Sequence, residues 1–316
     1  MKNIFSILIL SLLYSIGFAQ NNIYTLVGHN GNVNVVTFSK DSKYLLSGSQ
    51  DDTLIVWNVE KNFKKEKIIS VSDASIPNID FSSDGSKFTI CTYQVFYLFN
   101  YPGFGKETSR KNAHTSFVKC ANFSKNGEFI ITSSWRDNSL ILWKTKGLKK
   151  EKVFPETEWT DNAVFIAGDS CIASINHANT IKIWDVRSGN LIRTLAGHTD
   201  WIYGVFATSD GKYIVSGSLD KTIKVWDLNT GKLVKSISAH KDGIVSLSIS
   251  SNGKYFASSS LDGTAKIWSI ETFSEIATLS GHEGSVLSVA FSPNGKCVAT
   301  SGSDKTIKIW DIQNLK

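Results

Sequence analysis

Proline and methionine are scarce in this chain of 316 residues, which holds four of the first and one of the second. Disordered segments and linkers are rich in proline and in blocks of charge. Neither is found, so the sequence predicts a chain folded nearly throughout. Cysteine is equally sparse: Cys91, Cys120, Cys171 and Cys297 stand alone, without CxxC or another metal-ligand spacing. No HExxH run occurs, and neither a metal nor any cofactor is expected. The formal net charge of +6 is modest for this length. The densest lysine groups, Lys61, Lys64, Lys65, Lys67 and Lys146, Lys149, Lys150, Lys152, read as solvated connections. Nucleic acid is therefore not expected as a partner.

Long apolar runs are lacking too, with one exception. Ile4 to Phe18 is apolar, follows the basic head Met1-Lys2-Asn3, and ends in the small-residue spacing Gly17-Phe18-Ala19. It is too short for a comfortable membrane span and reads as a secretory signal peptide cleaved after Ala19. The expected organisation is a signal peptide over 1–19 and a single domain over 20–316, exported to a periplasm or the extracellular space. No membrane span remains after cleavage.

What is abundant is repetition. Residues 195–227 run from Gly197-His198 through an alternating apolar stretch, an Asp210-Gly211 turn signal and Asp220 to Trp226-Asp227. The same order recurs from Gly28-His29 to Trp57, Ala113-His114 to Trp143, Ala239-His240 to Trp268 and Gly281-His282 to Trp310. With the closing aromatic as a ruler, the marks are Trp57, Phe99, Trp143, Trp184, Trp226, Trp268 and Trp310, at spacings of 42, 44, 41, 42, 42 and 42. A period of about 40–45 residues with Gly-His and Trp-Asp ends is the signature of a propeller blade. The sequence resembles the WD40 family over about residues 23–312.

The resemblance implies an all-β, seven-bladed propeller forming one unit, because a blade cannot bury its faces alone. Turn signals fall between the first and second strands: Asp41-Ser42, Asp84-Gly85, Asn126-Gly127, Asp210-Gly211, Asn252-Gly253 and Asn294-Gly295. They supply the positive φ that tight hairpins need. The fourth repeat has Gly168-Asp169 in a shorter loop instead. After Trp310 too few residues remain for an outer strand, so Ile23–Leu26 is expected to complete the last blade and close the ring. Cys171 and Cys297 occupy matching slots in blades three apart and cannot pair. Cys91 with Cys120, from adjacent blades, stays open as a pair, although buried free thiols are expected for all four.

The resemblance further implies a hydrogen-bonded tetrad inside a blade: His, hydroxyl, Asp and the Trp indole N–H. The matching sets are His29, Asp51, Trp57; His114, Asp137, Trp143; His198, Asp220, Trp226; His240, Asp262, Trp268; and His282, Asp304, Trp310. The expected hydroxyls are Ser47, Thr89, Ser133, Ser174, Ser216, Ser258 and Thr300. A buried carboxylate is tolerable only when paired, and a buried indole needs an acceptor. Five His-Asp-Ser triples are therefore architecture, and no catalytic residue is assigned. Blade 2 departs, with Ser72, Tyr93 and Phe99 in the His, Asp and Trp slots. Blade 4 has Glu156 and Ala178 in the first two, so its Trp184 is expected to seek another partner.

Propellers present function on the top face, at slots three and five residues after the His and just before the Asp. Blade 1 offers Asn32, Asn34 and Gln50, blade 6 Gly243, Val245 and Leu261, and blade 7 Ser285, Leu287 and Ser303. The middle blades are different. Blade 3 offers Phe117, Lys119, Trp135 and Arg136, blade 4 Trp159, Asp161 and His177, and blade 5 Trp201, Tyr203 and Leu219. Six of the nine tryptophans are ruler residues, and the other three all fall in these slots. Trp, Tyr and Arg dominate binding hot spots. The expectation is a non-enzymatic scaffold binding a protein or peptide on the top face of blades 3–5, with a monomer as the default state. A carbohydrate or small-ligand receptor is the alternative, since aromatic platforms also stack on sugars. A propeller enzyme comes third.

Overall fold

The structure, a computed structural model, describes residues 18–20, 22–71, 75–156 and 158–315. Its strands form seven sheets, six of four strands and one of five, and the sheets stand as blades around a channel. Blade 1 is Val33–Phe38, Tyr44–Ser49, Thr53–Asn58 and Lys64–Ser70, in order from the channel outward. Its second and third strands are buried on both faces because neighbouring blades cover them. The fourth is mostly exposed and charged, which blunts the outer edge.

The ring closes as expected: Asn22–Val27 pairs antiparallel with Thr306–Asp311 of blade 7. Leu26 thereby packs with Ile307 and Ile309 in the core cluster that also holds Trp57. Of the expected 1–19 segment, only Phe18 and Ala19 are described, and with Gln20 they lie parallel to Ala277–Leu279 of blade 6. Among the described residues, no helix is long and apolar enough to cross a membrane.

The turn chemistry sets the register. Ser42, Gly85, Gly127, Gly211, Gly253 and Gly295 all have φ between 60 and 73°. In blade 4, four residues, 167–170, join Thr160–Ile166 to Cys171–Asn176, against five, 39–43, in blade 1. That hairpin is tighter, with Ala167, Gly168 and Asp169 all at positive φ. An amide ladder ties the innermost strands of three blades: Asn78 Nδ2 donates to Asn122 Oδ1 (3.2 Å), and Asn122 Nδ2 to Asn162 Oδ1 (3.0 Å). The four cysteines are free thiols, and burial pushes that of Cys120 up to about 11.

Candidate partner-binding site

The tetrads come first, because they remove most of the histidines from consideration. In blade 5 the Trp226 indole N–H donates to Ser216 Oγ (2.9 Å), Ser216 meets His198 Nε2 (2.8 Å), and His198 Nδ1 meets Asp220 Oδ2 (2.7 Å). One proton arrangement satisfies all four groups: indole to hydroxyl, hydroxyl to Nε2, and Nδ1–H to carboxylate. Burial lowers the His198 pKa, and its bond to Asp220 offsets this only in part, so the ring is held neutral. His29 and His282 are shifted down for the same reason. Burial pushes Asp51 upward, but hydrogen bonds from Thr53, the Asn30 N–H and His29 outweigh it and hold the carboxyl at about 2. Thr53 and its counterparts Thr222, Thr264 and Thr306 each give a hydroxyl bond to the blade's Asp, a fifth member that the spacing argument missed.

Three expectations need correction. In blade 3 the hydroxyl is Thr132, not Ser133: His114 Nε2 and Trp143 Nε1 both reach Thr132 Oγ1 at 2.8 Å, while Ser133 Oγ donates to Cys120 Sγ. Counting back from Trp143 fails because the hairpin between Thr132 and Asp137 holds one extra residue. Blade 4 does not lose its network. Trp184 Nε1 keeps Ser174 Oγ as acceptor (2.9 Å), Ser174 donates to Glu156 Oε1 (2.5 Å), and Lys182 Nζ closes on Glu156 Oε2 (2.7 Å). Glu156 thus works in the His slot, with its charge balanced by Lys182. In blade 2, Tyr93 is 44% exposed on the rim and not at an interior Asp slot. Thr89 there donates across to the Ala121 carbonyl of blade 3, and Phe99 stacks on Phe88 at 5.0 Å. Ser72 lies outside the described residues.

The rim slots have a backbone cause. The innermost hairpins of blades 3, 4 and 5 carry a bulge near the top, between Val118 and Cys120, Thr160 and Asn162, and Ile202 and Gly204. A bulge re-aims one side chain. The residues concerned are Lys119, Asp161 and Tyr203, and all three line the channel, a cavity of about 600 Å³. The other two slots face each other across the hairpin. The N–H of Trp135 donates to the Phe117 carbonyl (3.0 Å), His177 to Trp159 (2.9 Å) and Leu219 to Trp201 (2.8 Å). Two aromatic residues per hairpin top are thereby set side by side in blades 3 and 4.

These side chains form one chain of contacts. Tyr93 meets Phe117 edge-on at 4.5 Å, and Phe117 meets Trp135 at 6.4 Å between centroids. Trp135 meets Trp159 (6.3 Å), Trp159 meets His177 (5.3 Å), and His177 lies against Trp201 at 4.2 Å. Every partner-site residue expected from the sequence except Tyr203 touches this set. Asp161 is its anchor. Its buried carboxylate accepts from Trp135 Nε1 (2.8 Å), meets His177 Nε2 (2.6 Å) and lies 3.7 Å from Lys119 Nζ. Lys119 sits over the Trp135 ring at 4.5 Å and Arg136 over the Trp159 ring at 5.4 Å. Phe117, Trp159 and Trp201 nonetheless stay 43, 38 and 37% exposed. Tyr203 stands apart at the channel mouth; burial first, then Asp161 and Asp200, push its hydroxyl to about 12, so it remains a donor. Sequence reasoning missed Tyr93 as a rim residue. It also left Asp161 without its anchoring role, since a bulged carboxylate has no motif of its own.

Comparison with known proteins follows the same division between blades. The WD domain, G-beta repeat model of the WD40 family matches residues 20–58, 105–144, 189–227, 231–269 and 273–311, more than half of the chain. The stretches between these matches fall mainly on blades 2 and 4. Nuclear distribution protein nudF of Emericella nidulans is 31% identical over 199 residues, covering 56% of this chain and 45% of its own. Pre-mRNA-splicing factor cwf17 of Schizosaccharomyces pombe is 26% identical, covering 56% and 52%. A guanine nucleotide-binding protein subunit beta of Arabidopsis thaliana is 26% identical, covering 62% and 56%. The chain spans about half the length of the curated relatives it matches.

Proposed function

This chain belongs to the WD40 repeat family, and we propose that it works as a non-enzymatic scaffold capturing a protein or peptide through the top face of blades 3–5. The observation that carries the reading is the unbroken aromatic run from Phe117 to Trp201, ordered beneath by Asp161 and left open above. Rigid, half-exposed rings give contact area at little cost in side-chain entropy. A non-enzymatic role is supported by the tetrads, whose histidines have both ring nitrogens engaged inside their own blades. A hydrolase needs a nucleophile beside an open oxyanion site. Relatives named for nuclear distribution, for pre-mRNA splicing and as a subunit of a guanine nucleotide-binding protein favour a common frame over a common reaction.

The mature chain acts outside the cytoplasm in this reading, and its first residue is expected to be Gln20 by N-terminal sequencing of the exported form. The test of the site is capture of a partner from the protein's own extract, read by mass spectrometry. Trp159→Ala with Trp201→Ala should abolish capture and leave the thermal melt little changed. Capture that survives the double substitution would remove the proposal.

A further inference from the structure

Two cations lie over rim tryptophan rings, and they are not equivalent. Lys119 is half-buried, lies over Trp135 and has Asp161 at 3.7 Å. Its charge is already answered within the fold. Arg136 is exposed, and its guanidinium is held 5.4 Å over the Trp159 ring with no carboxylate paired to it among the described residues. It also stands in the left-handed region, φ 65°, in the hairpin that carries the extra residue. The insertion therefore lifts a planar, five-donor fork above the face of the rim. The contact with the Trp159 ring holds it there before any partner arrives.

We propose that the top face selects a linear peptide segment in which an acidic side chain adjoins an aromatic or branched aliphatic one, the carboxylate taken by Arg136 and the apolar group by Trp159 and Trp201. This rests on the scaffold reading above and adds the chemistry of the partner. Charge complementarity decides the occupant. A guanidinium offers two parallel N–H groups to a carboxylate, whereas a basic segment would meet the charge of Arg136. The apolar neighbour follows from distance: Trp159 lies under the guanidinium, and Trp201 is joined to it through His177. A residue next to the acidic one therefore lands on an exposed ring.

The test is selection of a randomised linear peptide library against the full chain from Gln20 onward, in parallel with Arg136→Glu and with Trp159→Ala plus Trp201→Ala. The expected consensus pairs Asp or Glu with Phe, Tyr, Trp, Leu or Ile. A synthetic consensus peptide should bind Arg136→Glu about tenfold or more weakly, and exchanging its acidic residue for Lys should restore binding to that variant. Thermal melting confirms that the exposed substitution leaves the ring folded. A consensus without an acidic residue, or one indifferent to Arg136→Glu but lost with the tryptophans, overturns this inference and keeps the scaffold. Peptides indifferent to both variants, no enrichment at all, or binding only of uronic-acid oligosaccharides would overturn both.

Discussion

The rims of blades 3–5 and of blades 6, 7 and 1 share one backbone and carry different side chains. Both halves have the bulge at the top of the innermost hairpin, between Val245 and its neighbours in blade 6 as at Lys119 in blade 3. Both have the same bond across the hairpin: Leu261 N–H to Gly243, Ser303 to Ser285 and Gln50 to Asn32, each at 2.9 Å. In blades 6, 7 and 1 those slots hold Gly, Ser, Asn, Gln and single aliphatics. The fold is thus complete without aromatics there. Phe117, Trp135, Trp159 and Trp201 occupy positions that the propeller does not need them to fill, and the anchoring of Trp135 by a buried aspartate shows that their arrangement is specified.

That contrast between residues the ring requires and residues it only carries can be broken experimentally. The largest effect is expected from deleting 22–27, which uncovers the last blade and removes Leu26 from Ile307 and Ile309. The loss should be at least about 3 kcal/mol, read as an earlier urea midpoint or a melt that is no longer cooperative. Glu156→Ala comes next: it removes the acceptor of the Ser174 hydroxyl and the carboxylate beside Lys182, whose side chain is only 13% exposed, and should cost about 2–3 kcal/mol in the same titration. Thr132→Val should cost about 1–2 kcal/mol by leaving His114 Nε2 and the Trp143 N–H unpartnered, and Ser133→Ala much less. Equal costs would restore the register counted from the sequence.

Acid should act on the tetrads in two stages. His29, His198 and His282 have folded pKa values below the ordinary 6.5, so the neutral rings contribute stability above that pH and lose it as pH falls through the lowered values. Asp51 is held at about 2 against an ordinary 3.8, so its contribution persists above 3.8 and disappears toward 2. The melting temperature should decline below pH 6.5 and drop steeply under 3.8. A midpoint that rises on acidification would contradict neutral, buried histidines. The smallest effect belongs to the rim: Trp159→Ala with Trp201→Ala should shift stability by no more than about 1 kcal/mol.

Much of this was legible beforehand because propeller architecture is periodic. The ruler aromatics located all seven blades, Asn-Gly and Asp-Gly located the hairpins, and the missing last strand pointed to Ile23–Leu26. What escaped has local causes. The inserted residue before Asp137 changes the count between Thr132 and Trp143 without changing any motif. Glu156 replaces His through an acceptor role that the two share but spacing does not reveal, and Lys182 is identified as its partner only once the strands are paired. Tyr93 looks like an ordinary loop residue until the neighbouring blade places it at the rim, and Asp161, expected in a top-face slot, shows its anchoring role only once the bulge aims its carboxylate at Trp135 and His177.

Fluorine NMR of protein labelled with 5-fluorotryptophan separates the two classes in a single titration. Of the nine resonances, those of Trp135, Trp159 and Trp201 should move when the captured partner or a selected peptide is added, and the six tetrad or ruler tryptophans should stay fixed. Movement confined to the six, or three rim signals that ignore a bound partner, would contradict the separation of frame from binding face.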